Sequence, residues 1–417
     1  MPSREKAIEN DLTKGDAARQ LIRYAIPMVT ISVLQALYSM ADMIIAGHFI
    51  GNTGISAINN SSQIMNIATQ IAIGLTVGGN VLIGQYYGAG KQEERRRAIG
   101  TLLTSSLLLG GFGLLLIFSL ARAILSGLGA PALDDAEAYL QVCAFGMPFI
   151  FGYNALSAVL RAIGNSRKPL HFIAASASTN VVLDIVFVGG LKMGVRGATL
   201  ATVLSQGLSF SLALIFLLRH SEIFRISLEN LKIRAAELKM IFKLGIPSSL
   251  QHTIGGISWL VVTFLINSYG VDVSAGNGVS VKIKDFCQLF ISAMSSGAAT
   301  MIAQTLGAKM YDRAKEVMYT AMKITMLMAV TMIIIVELLA PQLAAIFTGD
   351  PAVQAAAVMN LRIEILGQIF YAVFFVYHSL AIGAGHTLFA MSSSFVNCIL
   401  FRVVLAVTFN HFFGLPG

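Results

Sequence analysis

Apolar and polar positions segregate on a long scale along the chain. Eleven apolar stretches, at residues 21–47, 54–87, 95–122, 136–161, 169–190, 196–219, 238–269, 275–307, 314–345, 353–383 and 388–413, are separated by short connections carrying Gly, Pro and charge clusters. At 1.5 Å of rise per residue, each is long enough to cross a hydrocarbon core of about 30 Å as a helix. None keeps the period-2 alternation that a lipid-facing strand needs, so the pattern predicts an all-α polytopic membrane protein and excludes an outer-membrane barrel. The mixed charges from Arg4 to Arg19 and the length of the first run are unlike a signal peptide, so no cleavage is expected. The longest polar insertion predicts a domain order: an N-terminal segment 1–20, a first lobe 21–219 with six helices, a linker 220–238 and a second lobe 239–417 with five.

Composition agrees. Hydrophobic residues make up 56% of the 417, charged residues 12%, and the mean hydropathy is +0.74, whereas soluble domains carry about 25% charged residues. The net charge of +8 would suit nucleic acid in a soluble protein, but its placement is a topology signal. With a cytoplasmic N-terminus, 21 lysines and arginines fall on the cytoplasmic side and only Arg122, Lys192 and Arg196 on the other. The expectation is a multi-pass protein of the cell membrane with its N-terminus inside and no nucleic-acid partner. Cys143, Cys287 and Cys398 lie in apolar runs without CxxC spacing and read as small core residues.

The chain repeats at a period near 220 residues. Pro27 matches Pro247, Gly51 matches Gly270, Gln85 and Gly88 match Gln304 and Gly307, and Gly146, Phe149 and Gly164 match Gly367, Phe370 and Gly385. Both halves close their second helix with a related string, GQYYGAGK and AQTLGAKM, followed by a basic loop. Two halves of the same orientation imply a pseudo-two-fold axis along the membrane normal.

Within the apolar runs, ionisable residues mark function, because each costs roughly 2.5–3.5 kcal/mol on insertion scales. Asp42 and Asp184 stand out. Asp42 is 19 residues beyond Arg23 and Asp184 is 16 beyond Lys168, depths of about 28 Å and 24 Å on helices of the same direction. Asn180 precedes Asp184 by one turn, and Tyr38 and Gln35 precede Asp42 by one and two turns, so both carboxylates have polar neighbours on their own helix face. Two carboxylates close together in low dielectric are not both ionised unless a cation is shared, which makes the pair a candidate proton or sodium site; Asn180 and Thr202 would supply further oxygens. The competing reading is a pair of satisfied buried acids holding helices together.

The segments IPMVTISVLQALYSMADMIIAG, GQYYGAGKQEERRRAI, LRAIGNSRKPL, STNVVLDIVFVGG and GVRGATLATVLSQ resemble those of the multidrug and toxic compound extrusion (MATE) family, nearest to its DinF-type branch, over nearly the whole chain. The resemblance implies two pseudo-two-fold related six-helix lobes and secondary antiport: export of amphiphilic, often cationic, small molecules in exchange for Na⁺ or H⁺. It implies an N-lobe cation site at Asp42, Asn180, Asp184 and Thr202, with Tyr139 a further member, and cavity-lining roles for Gln35, Tyr38 and Asn154. No cofactor beyond the coupling ion and no enzymatic activity are implied, and a monomer is expected. The alternative within the same superfamily is a flippase for lipids or lipid-linked oligosaccharides. One departure is that the sequence stops at FFGLPG, where the family turns into a twelfth helix, so the last helix of the second lobe is expected to be missing.

The second half lacks the acid pair. Gly255 and Tyr371 fall where other branches of the family carry acids, and Phe401 stands opposite Asp184, so coupling is expected through the first lobe alone. Its own charges are Lys282, Lys284 and Asp285, where pairing of Lys282 with Asp285 at i,i+3 is expected over a substrate role, and Glu364 with Arg362 and the lone Arg402, which read equally as buried pairing or as snorkelling near helix ends. Pro27 and Pro247 each remove one backbone hydrogen bond and predict bends, Pro27 being a candidate hinge. No GxxxxGK[ST], HExxH or GxSxG string supports ATP drive or common hydrolysis.

Overall fold

The computed structural model describes residues 9–50, 52–127, 133–220, 224 and 231–413. Most of the expected linker and the last four residues lie outside these. The helices are α1 (Ala17–Phe49), α2 (Asn52–Gly88), α3 (Gln92–Gly127), α4 (Leu133–Ala144), α5 (Met147–Ala162), α6 (Arg167–Asp184), α7 (Gly194–Arg219), α8 (Ala235–Asn267), α9 (Val271–Gly307), α10 (Tyr311–Ala345), α11 (Pro351–Leu366), α12 (Gln368–Gly383), α13 (Thr387–Phe395) and α14 (Val404–Phe413). Wider π-helical turns continue α6 over Ile185–Gly190 and join α13 to α14 over Val396–Val403.

Among the described residues, nine helices are long and apolar enough to cross a membrane singly, and two bent pairs bring the spans to 11. The bends are where the sequence predicted straight helices. The run 136–161 breaks between α4 and α5 by 45°, and the run 353–383 breaks between α11 and α12 by 43°. Gly146 and Gly367 sit at these breaks, one repeat apart. Apolar glycine-bearing runs give no sign of a break, because membrane helices tolerate glycine.

The repeat is written into the backbone. Gly164 and Gly385 share φ of +82°, and each closes its helix with the same pair of hydrogen bonds. Gly164 N–H and Asn165 N–H donate to Arg161 O and Leu160 O, and Gly385 N–H and His386 N–H donate to Ile382 O and Ala381 O, which satisfies the last carbonyls of α5 and α12. Gly90 and Lys309 hold positive φ at the ends of α2 and α9 in the same way. A prediction follows from the space around two of these glycines. A Cβ on Gly90 meets nothing within 4 Å, whereas one on Gly164 runs into the Asn10 carbonyl. Gly90→Ala is therefore expected to cost only the left-handed strain of about 1–2 kcal/mol, and Gly164→Ala clearly more. Thermal unfolding of the purified protein should show the larger drop for Gly164→Ala.

The chain forms two compact units, residues 1–11 with 30–249 and residues 12–29 with 250–417. This differs from a division at the linker, which gives all of α1 to the first lobe and all of α8 to the second. Small residues account for the difference. In the first unit, a Cβ on Gly78 of α2 would meet Ile241 O at 2.5 Å and Gly245 N at 2.7 Å, and one on Gly245 would meet Leu75 Cα at 2.8 Å. Ser249 Oγ donates to Ile71 O at 3.2 Å. Glycines and serine at four-residue spacing let the first half of α8 and α2 approach backbone to backbone. In the second unit, Gly297 of α9, one repeat on from Gly78, faces Leu21 and Tyr24 of α1, and Leu12, Leu21, Tyr24 and Ala25 join Met294, Ala298 and Met301 in its core.

Candidate functional site

Polar side chains in the first unit are arranged around one chamber of about 430 Å³, lined from α1, α2, α4, α5, α6 and α7. Polar stripes at helical spacing supply it: Gln35, Tyr38 and Asp42 on α1, Ser62, Asn66 and Thr69 on α2, Ser176 and Asn180 on α6, and Thr202, Ser205, Gln206 and Ser209 on α7. Tyr139, Tyr153 and Asn154 complete it from α4 and α5. Of the residues singled out in the sequence, Asp42, Asn180, Thr202, Tyr139, Gln35, Tyr38 and Asn154 all line this chamber. Asp184 does not. It sits one turn beyond Asn180, fully buried at 0% exposure, where α6 gives way to the π-helical turn. Pro27 lies inside α1, in the part belonging to the second unit.

Asp42 shares the chamber wall with Tyr38, Tyr139 and Cys143. Several lining groups are already committed: Tyr153 Oη donates to Pro169 O at 3.1 Å, Asn154 Nδ2 to Ile150 O at 2.8 Å, and Ser176 Oγ to Ser205 O at 2.6 Å. Thr202 Oγ1 donates to Ala198 O at 3.1 Å, which leaves its lone pairs free. By contrast, both carboxylate oxygens of Asp184 and both amide atoms of Asn180 are buried without a hydrogen-bond partner among the described residues. Buried polar groups are nearly always paired, and this helix face presents three oxygen acceptors and one amide donor, Asn180 Nδ2, without a partner among the described residues.

Carboxylates on Asp42 and Asp184, an amide oxygen on Asn180 and a hydroxyl on Thr202 are all oxygens, the ligand type of a hard cation rather than a soft one. The described residues hold no cluster of three His, Cys, Asp or Glu that would suit a transition metal. Residues not singled out in the sequence are Ser62, Asn66, Thr69, Tyr153, Ser176, Ser205, Gln206 and Ser209. Their signal was present as i, i+3/i+4, i+7 polar stripes inside apolar runs.

Charges in the second unit pair differently from the sequence expectation. No ion pair joins Lys282 to Asp285 or Arg362 to Glu364 among the described residues. Instead, Lys284 Nζ lies 3.7 Å from Glu364 Oε2, and Arg362 Nε lies 3.5 Å from Glu337 Oε2. Arg362 and Glu364 are two residues apart and project to different faces of α11, so each finds a partner on another helix.

Fold and chamber define a multi-pass helical carrier with a solute-sized polar cavity inside one lobe. The profile of the MatE family matches twice, over residues 27–186 and 247–408. The chain belongs to the MatE family and is a membrane transporter of it rather than an enzyme. The two matches begin at Pro27 and Pro247, the residues that register the internal repeat. The chain is 30% identical over 302 residues, 71% of its length and 67% of the relative's, to the probable multidrug resistance protein YpnP of Bacillus subtilis. It is 26% identical over 410 residues, 97% and 90% of the two chains, to the multidrug export protein MepA of Staphylococcus saprophyticus. Among solved structures, the outward-facing conformation of a multidrug resistance MATE family transporter of the MOP superfamily has a TM-score of 0.91 at 23% identity, covering 97% of this chain and 91% of that one.

Proposed function

We propose that the protein is a secondary antiporter of the cell membrane, with its N-terminus cytoplasmic, that exports amphiphilic small molecules in exchange for Na⁺ or H⁺ and works as a monomer. The coupling ion is held by Asp42, Asp184, Asn180 and Thr202, with Tyr139 closing the site. Gln35, Tyr38 and Asn154 face the cargo, and Pro27 lets α1 bend as the ion comes and goes. The multidrug names of the relatives support the substrate class. The observation that carries the reading is the set of unpartnered buried atoms on Asn180 and Asp184 beside a chamber containing Asp42.

Ion and cargo then exclude each other through shape and charge. Protonation or ion binding removes the repulsion between the two carboxylates, so α1 and α6 close up and the chamber loses room for a solute. By linkage, each ligand weakens the other by the same factor. The test is efflux of a fluorescent cationic drug from proteoliposomes under separately imposed pH and sodium gradients. One gradient is expected to drive export and the other not, and export indifferent to both overturns the reading.

A further inference from the structure

The second unit concentrates charge around the chain's single tryptophan. Lys284 Nζ lies 3.7 Å from the centroid of the Trp259 ring, and the Arg402 guanidinium lies 5.7 Å from it. Glu364 is engaged by Lys284 at 3.7 Å and by Ser280 Oγ, which donates to the same carboxylate at 3.2 Å. Arg402 has no such partner. Among the described residues its neighbours are the indole face and Tyr371, whose Oη accepts from Arg402 Nη2 at 2.9 Å, and no carboxylate lies within ion-pair distance. Lys282, Lys284 and Arg402 against Glu364 and Asp285, which also acts on Lys284, leave one net positive charge on apolar helices long enough to span a membrane.

That charge is held in place. Arg402 lies in the π-helical turn Val396–Val403, and π-helical turns inside α-helices are common at functional sites. Ser258, beside Trp259 and fully buried at 0%, donates its hydroxyl to Cys398 O in that same turn at 2.6 Å, which ties the indole to the arginine. Snorkelling does not relieve the cost. Arg402 is 11 residues from the end of α14 at Phe413, about 16 Å of helix, and its bond to Tyr371 directs it toward α12. Tyr371 and Phe375 stack with ring centroids 5.8 Å apart, so the cation is bordered by flat aromatic faces.

We infer that Arg402, Trp259 and Lys284 with Tyr371 form a binding site in the second unit for the anionic group of an aromatic amphiphile, a carboxylate, sulfonate or phosphate. The guanidinium offers a planar fork of donors matched to two anion oxygens, and Trp259 and Tyr371 take the ring. Glu364 acts as the site's internal carboxylate, holding Lys284 and leaving Arg402 to the ligand. The inference rests on the transport reading only in calling that ligand cargo, and it places zwitterionic and anionic amphiphiles among the molecules handled.

Because Trp259 is the only tryptophan, its fluorescence reports the site directly. The protein is placed in phosphatidylcholine nanodiscs and titrated with two matched contact quenchers, 4-nitrobenzenesulfonate and (4-nitrophenyl)trimethylammonium. Saturable quenching by the sulfonate and not by the ammonium is expected. Arg402→Gln should weaken the sulfonate at least about tenfold, the scale of one charge-assisted bond. Equal quenching by both probes, or unchanged sulfonate affinity in Arg402→Gln, overturns the site. If Arg402→Gln does not fold, the contrast between the probes on the unmodified protein still decides. Loss of sulfonate quenching in phosphatidylglycerol nanodiscs assigns the site to a lipid headgroup and overturns the soluble ligand. No gradient is present, so a failure of coupled export leaves this readout untouched.

Discussion

Asp184→Asn is expected to reduce gradient-driven efflux from proteoliposomes to the leak rate while leaving the folded protein intact. Asn preserves the volume of a fully buried side chain and removes a carboxylate whose two oxygens have no partner among the described residues. Asn breaks no hydrogen bond that the carboxylate makes among the described residues, so the unfolding temperature is expected to hold. What disappears is linkage. In the unmodified protein the coupling ion should change drug affinity by a coupling energy of about 1–3 kcal/mol, about 5- to 150-fold, and in Asp184→Asn that ratio should fall to one. Equilibrium drug binding in detergent, with and without the ion, measures it. Retained uphill export by the variant would place coupling elsewhere.

The same buried acid shows what was legible in the sequence. Asp184 and Asp42 are conspicuous because a carboxylate in an apolar run is expensive wherever it ends up, so composition alone draws attention to them. The helices were legible for the related reason that backbone groups in lipid must be satisfied within the segment, which makes apolar length a direct measure of a span. The bends at Gly146 and Gly367 were not, since a glycine inside a membrane helix serves equally for close packing, as at Gly78 and Gly297. The reassignment of the first part of α1 to the second unit was hidden too, because Tyr24 and Gly297 meet across 273 residues of sequence and leave no local pattern. Local spacing misled at Lys282 and Asp285. Lys282 acts on Asp285 through its charge without closing to ion-pair distance, since an i,i+3 pair is a weak attraction, and the close contact is Lys284 with Glu364 on another helix.

That cross-helix pair carries the second large effect. Lys284 is nearly buried, its side chain 9% exposed, while Glu364 is 24% exposed. Breaking a buried pair by removing one partner typically costs 3–5 kcal/mol. The 3.7 Å separation and the partial exposure of Glu364 put this pair at the lower end, at most about 3 kcal/mol. Glu364→Leu is expected to cost most of that, since it leaves Lys284 facing Arg402 as a like charge. Lys284→Met should cost less, because Glu364 keeps Ser280 and is more exposed than Lys284. The double variant Lys284→Met/Glu364→Leu should recover most of the loss, replacing the pair by apolar groups of similar volume. Thermal unfolding of the four proteins gives the coupling term, and strictly additive losses would show that the pair is not an energetic unit. Glu364→Leu also separates stability from binding. It raises the local charge around Trp259 by one unit, so the sulfonate probe should bind more tightly to this less stable protein, an outcome that a purely structural role for Arg402 does not produce.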